Sequence, residues 1–191
     1  YIGLDRIERL QENYNLDVEW KAFDLRPGTP PQGIPRPARP GDPEPGQPLT
    51  GPVGEAAAAA GLVMRRSSLI PYTRPAMELG EYAKQQGCFD AYHKLALRAY
   101  WEDGKDLGDA TVLQELGEAS GLEPEGLRGM LKERRYADAV EEAIQFAREV
   151  GIRGIPAYII DRYLVVGAQP YPLFEQVAER VLQEREQGAA T

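Results

Sequence analysis

From residue 4 onward apolar side chains return every three or four positions. Leu4, Ile7, Leu10 and Tyr14 stand among Asp5, Arg6, Glu8, Arg9 and Glu12, which predicts an amphipathic helix. No capping residue precedes it, so its first turn is expected upstream of Tyr1. The period then falls to two: Leu16, Val18, Trp20 and Ala22 share one face while Phe23 and Leu25 take the other, predicting a strand over 16–25. Nine prolines between positions 27 and 48 forbid a regular helix and predict a solvated loop over 26–50.

Helical periodicity resumes beyond the prolines. A short helix is expected over 52–62, beginning near Thr50, followed by an extended crossing over 64–70. Thr73 then reads as the N-cap of a helix with Pro75 in its first turn and Met77, Tyr82 and Ala83 inward. Phe89, Tyr92, Ala96, Ala99 and Tyr100 mark the next helix. Asp109 caps a further one with Val112, Leu113, Leu116 and Ala119 inward and Gly121 as its stop. Helices over 122–131 and 137–150 complete the set. With no second strand pair in view from 50 to 150, this block reads as all-helical. Two β-rich runs, 158–160 and 163–166, then meet at Asp161-Arg162, where a hairpin can turn. Pro156 stands before the first run, where its missing amide costs no ladder bond and where the Ile155-Pro156 bond can be cis. Phe174, Val177, Val181 and Leu182 place a last helix over 171–187, with residues 188–191 as a fraying tail.

Composition narrows the chemistry. The chain has 191 residues, 42% of them hydrophobic, enough to bury a real core in one domain or one domain with a large insertion. A net charge of -8 disfavours nonspecific attraction to nucleic acid or an anionic membrane, so neither is assigned as a partner. No run approaches the roughly 18 apolar residues of a membrane span. A single cysteine, Cys88, and a single histidine, His93, exclude an intramolecular disulfide, a dithiol and a Cys/His zinc cage within these residues, and no metal site is expected. No glycine-rich phosphate loop follows a strand.

The ordered run Gly154-Ile155-Pro156, strand, turn, strand, Gly167-Ala168-Gln169-Pro170 resembles the carboxy-terminal third of DsbA-like thioredoxin-fold proteins. Within that group it is most similar to the FrnE-type disulfide oxidoreductases, a branch related to the 2-hydroxychromene-2-carboxylate isomerases and kappa-class glutathione transferases. The resemblance implies an α/β, thioredoxin-like fold with a large all-helical insertion. Residues 1–25 and 151–191 would form the thioredoxin-like domain, 26–50 the proline-rich loop and 51–150 the insertion. It also implies that the first strand and the start of the first helix precede Tyr1, together with a Cys-Pro-x-Cys pair directly ahead of the Tyr-Ile-Gly segment. A helix N-terminus there would stabilise a thiolate and make it a good leaving group. The sheet would then have a vacant lane between the strand at 16–25 and the one after Pro156.

No catalytic residue is therefore expected within 1–191. Gly154, Ile155 and Pro156 are the substrate-binding candidates: the resemblance places this loop opposite the cysteines, with the backbone before the proline pairing with a peptide or glutathione. A proline that merely shapes the turn would leave the same sequence trace. Ala157 stands where threonine is more usual. Cys88, near a helix start, reads as a small semi-buried side chain and His93 as a structural histidine. Tyr72, Tyr92, Tyr100 and Trp101 are candidates for lining an apolar groove, though helix packing explains them equally. The charge runs at 102–106 and 132–135 read as solvated.

The function this implies is thiol–disulfide oxidoreduction on protein or small-thiol substrates, with no cofactor beyond glutathione as an optional substrate or reductant. A glutathione-dependent isomerase or transferase, or a binding module without redox activity, are the alternatives. The family branch and the lack of stapling disulfides imply a cytoplasmic location. Oligomeric state is not readable.

Overall fold

The fold was taken from a computed structural model that describes residues 1–189; the expected fray of 190–191 lies outside the described residues. The chain divides into two compact units, Tyr1–Trp20 with the residues from Arg148 onward, and Lys21–Ala147. The fold class is α/β with a helical insertion.

In the first unit, α1 (Ile2–Asn13) buries Ile2, Gly3, Arg6 and Leu10. Its partner is the hairpin of β3 (Ala157–Ile160) and β4 (Tyr163–Val166), in the register Tyr158↔Val165 and Ile160↔Tyr163. A two-residue turn joins them, and Asp161 takes the left-handed conformation it requires, with φ 57. Its carboxylate, 2.9 Å from the Arg185 guanidinium, is held below its usual pKa chiefly by that hydrogen bond. The closing helix, α8 (Tyr171–Ala189), runs two residues further than its apolar pattern and keeps Gly188 helical. Leu10, Tyr158, Val165, Tyr171, Phe174 and Ala178 make one core, with the Tyr158 ring edge-on to Phe174 at 4.7 Å. Burying each large side chain contributes about 1.5–3 kcal/mol.

The strand expected over 16–25 is not formed. Its side chains do alternate, with Leu16, Val18 and Trp20 half-buried and Asp17, Glu19 and Lys21 exposed, but no described residue ladders with it. Burial periodicity survives because one face still packs, Leu16 against the core of the first unit. A strand, however, is a two-party structure, and an edge with no partner leaves its backbone groups to water.

The second unit is built on α3 (Arg74–Gln85), α4 (Phe89–Trp101), α5 (Ala110–Ala119), α6 (Pro124–Glu133) and most of α7 (Ala137–Glu149). Leu79, Ala83, Leu113, Leu127 and Met130 lie in its fully enclosed core. Asp109 caps α5, accepting from the Thr111 amide at 2.7 Å. Thr73, at the N-cap of α3, makes no side-chain capping bond: its ψ of 0 is not the extended cap conformation, and Pro75 removes an amide the hydroxyl would have met.

The block from 50 to 150 is not free of strands. Besides α2 (Gly51–Ala59), it contributes β2 (Leu69–Ile70), which pairs antiparallel with β1 (Ile34–Pro35) from the proline-rich segment. A bridge between Pro48 and Arg65 adds a second tie. Arg66, 6% exposed, donates to the Pro37 carbonyl at 3.3 Å and faces Asp42 at 3.5 Å. The proline-rich segment thus wraps a buried guanidinium rather than running wholly in solvent.

Candidate functional site

The proline loop is assembled by β3 and α1. The Ile155–Pro156 bond is cis, and the Gly167 amide donates to the Pro156 carbonyl at 2.8 Å, extending the hairpin ladder to the proline. Pairs alternate in an antiparallel ladder, so with Pro156, Tyr158 and Ile160 bonded across to β4, Ala157 and Ile159 direct their amides and carbonyls to the opposite edge of β3. Ile155 is 53% exposed. Gly154 has open space where a side chain would stand.

Pro156 packs on the first turn of α1. A Cβ on Gly3 would stand 2.9 Å from Pro156 Cβ and 2.8 Å from Tyr158 Oη, closer than real Cβ contacts come. Only glycine lets the helix approach the loop this closely. The structure thereby brings Pro156 and the opening helix together. The amphipathic pattern starts at Leu4, and Tyr-Ile-Gly came only with the family resemblance, with no contact assigned to Gly3. The available signal was a glycine directly ahead of the amphipathic pattern.

A second unforeseen feature is polar. Arg6 is 7% exposed, pairs with Asp5, and donates through Nε to the Gln169 carbonyl at 3.1 Å, tying α1 to the turn after β4. The Tyr158 hydroxyl is buried beside them with no hydrogen-bond partner among the described residues. Burial pushes its pKa up to about 12. It stays protonated at neutral pH.

The remaining candidates belong to the second unit. Cys88 sits half-buried at the N-cap of α4, its Sγ 3.6 Å from the Gln86 carbonyl. The His93 ring lies 5.1 Å from that of Phe89, and burial lowers its pKa to about 4, leaving it neutral at pH 7. Tyr92 lines no groove: it is 3% exposed and donates to the Ala76 carbonyl inside the helical core. Tyr100 meets Trp101 edge-on at 4.8 Å and accepts from Arg36 at 2.9 Å; Tyr72 is half-buried. Nor is the 132–135 run wholly solvated, since Arg134 reaches the buried carboxylate of Glu78. Among the described residues no cluster of three His, Cys, Asp or Glu side chains could hold a metal ion. No described helix is long and apolar enough to cross a membrane.

Comparison with known proteins gives this geometry a family. The model of the DSBA-like thioredoxin domain matches residues 1–179. The chain belongs to the DsbA-like thioredoxin domain family. The chain is similar to the uncharacterized protein YwbO of Bacillus subtilis (strain 168), 26% identical over 179 residues, covering 92% of this chain and 88% of the relative. The crystal structure of a probable DsbA oxidoreductase from Streptomyces coelicolor is similar with a TM-score of 0.79 and 27% identity, over 96% of this chain and 85% of that one.

Proposed function

We propose that this DsbA-like protein is a thiol–disulfide oxidoreductase of the FrnE type, acting through a Cys-x-x-Cys pair immediately upstream of Tyr1. The observation that carries this reading is the contact of Pro156 with Gly3, which sets the proline loop against the first turn of α1. A cysteine at that turn would face the loop, and the helix amides and dipole there favour a thiolate.

In the oxidising direction a substrate thiolate attacks the first cysteine of the enzyme disulfide. A substrate–enzyme S–S bond forms, the enzyme S–S bond breaks, and its electron pair leaves on the second cysteine as a thiolate. A second substrate thiolate then attacks the substrate sulfur of the mixed disulfide. The substrate leaves oxidised and the enzyme reduced, two electrons having passed. Gly154, Ile155 and Pro156 receive the substrate, with the backbone of the exposed residue Ile155 pairing in strand fashion. Protein disulfides or small thiols such as glutathione are the substrates, no cofactor is required, and the cytoplasm is the proposed compartment.

The test is insulin-disulfide reduction by the full-length chain, with glutathione affinity measured alongside. Catalysed reduction that survives Cys88→Ser and is lost when the upstream cysteines are replaced supports the reading. Tight glutathione binding with a single upstream serine or cysteine would instead indicate an isomerase or transferase.

A further inference from the structure

Arg153 is the cation nearest in sequence to the proline loop, two residues before Ile155. The first unit holds no lysine or histidine, so arginines carry its side-chain positive charge. Arg6 pairs with Asp5, Arg162 and Arg180 with Glu184, and Arg185 with Asp161, while Arg9 lies over the Tyr171 ring at 3.8 Å. Arg153 is exposed and makes no hydrogen bond, ion pair or ring contact among the described residues. In a chain with 30 acidic residues against 22 basic ones, a guanidinium left without a carboxylate is open to one that arrives on a ligand.

Its position relative to the loop decides which ligand. Exposure alternates along the approach to β3: Ile152 and Gly154 are half-buried, whereas Arg153 and Ile155 both open to solvent. Two residues of chain span at most about 7 Å. Between them Gly154 presents bare backbone, with nothing within 4 Å of where a Cβ would stand. A substrate whose backbone pairs at Ile155, as in the function proposed above and on which this step rests, therefore passes within one or two residues of Arg153. The group a guanidinium binds best there is a carboxylate, whose two oxygens match its planar fork.

We infer that Arg153 is a specificity residue that selects thiols and disulfides carrying a carboxylate close to the sulfur, glutathione or an acidic peptide among them. The chain's net charge of -8 repels such anions at long range, so without this residue the loop favours neutral and cationic substrates. Arg153 supplies the opposite bias at the one place where the substrate is held. Because the guanidinium is solvated, the bias is a matter of a few-fold in rate.

The experiment mixes reduced full-length protein, wild type or Arg153→Gln, with oxidised glutathione and with uncharged hydroxyethyl disulfide, and reads the rate of protein thiol oxidation for each. The ratio of the two rates cancels any change common to both. Arg153→Gln is expected to lower the preference for oxidised glutathione about threefold, as loss of one exposed ion pair does. In about 1 M salt, where the Debye length is about 3 Å, the wild-type ratio is expected to fall to that of the variant. The same comparison on two disulfide-linked peptides, with glutamate or glutamine beside the cysteine, separates a peptide carboxylate from that of glutathione, and a fall of this size in either set supports the inference. Ratios that Arg153→Gln leaves unchanged in both sets, or wild-type ratios that salt does not move, overturn it and leave the oxidoreductase reading standing. Equal slowing of every substrate also overturns it, by showing a structural effect. A wild-type chain that exchanges with none of these disulfides removes the oxidoreductase reading and this inference with it.

Discussion

Replacing Gly3 by alanine tests whether α1 and the proline loop are in the contact on which the site depends. In an ordinary solvent-facing helix this substitution stabilises by roughly 0.5–1 kcal/mol. At Gly3 the added methyl would meet Tyr158 Oη at 2.8 Å and Pro156 Cβ at 2.9 Å, whereas relaxed carbon contacts lie at about 3.5–4.0 Å. Neither neighbour can easily give way, since Pro156 is a ring bonded into the hairpin ladder and the Tyr158 ring is lodged against Phe174. Overpacking of this kind costs about 1–3 kcal/mol, so after the gain in helix propensity the net loss should be about 1–2 kcal/mol. Adding Tyr158→Phe removes one of the two clashes and should restore about 1 kcal/mol, a coupling that two unrelated sites would not show. Urea unfolding of the four proteins of this cycle supplies the values. A Gly3→Ala variant as stable as wild type, or more so, would refute the packing argument.

Removing Arg134 by Arg134→Met leaves the carboxylate of Glu78, with a side chain 2% exposed, without its cation; a loss of about 2–3 kcal/mol is expected in urea melts, discounted because Arg134 itself is half-exposed. Asp109→Ala removes the cap of α5 and should cost about 1 kcal/mol by the same measurement. Burial raises Tyr158 to about 12, so the unfolded chain releases this proton before the folded one does. Its contribution is complete below the unfolded value of about 10 and is lost as pH rises toward the folded one. Tyr158→Phe should therefore flatten the fall in stability between about pH 10 and 12, as read from unfolding midpoints across that range.

Helices with a strong stripe and a true cap were legible in the sequence, as at Asp109 and along Leu113 and Leu116. The hairpin was legible too, because Tyr163 to Val166 alternates and Asp161-Arg162 supplies a two-residue turn. The segment around Val18 shows the limit: side-chain alternation reports which face is buried, but a ladder depends on a neighbour that the pattern cannot name. The pairing of Ile34–Pro35 with Leu69–Ile70 is too short to have a period at all. Within the site, Ile155 and Pro156 could be picked out because proline before a β-run is distinctive. The closeness of Gly3, the burial of Arg6 and the orphaned hydroxyl of Tyr158 depend on which turn of helix meets which strand, and only tertiary structure supplies that.

In the proposed oxidoreductase, the backbone of Ile155 receives substrate beside the first turn of α1. The most direct measurement is amide hydrogen exchange at Ile155 in the full-length chain, before and after a substrate peptide is trapped as a mixed disulfide by replacing the second cysteine of the proposed upstream pair with serine. Strand-like pairing predicts that this amide becomes at least tenfold slower to exchange on trapping while that of Cys88 is unchanged. A mixed disulfide that forms in full yet leaves exchange at Ile155 as fast as in the free protein would contradict the account.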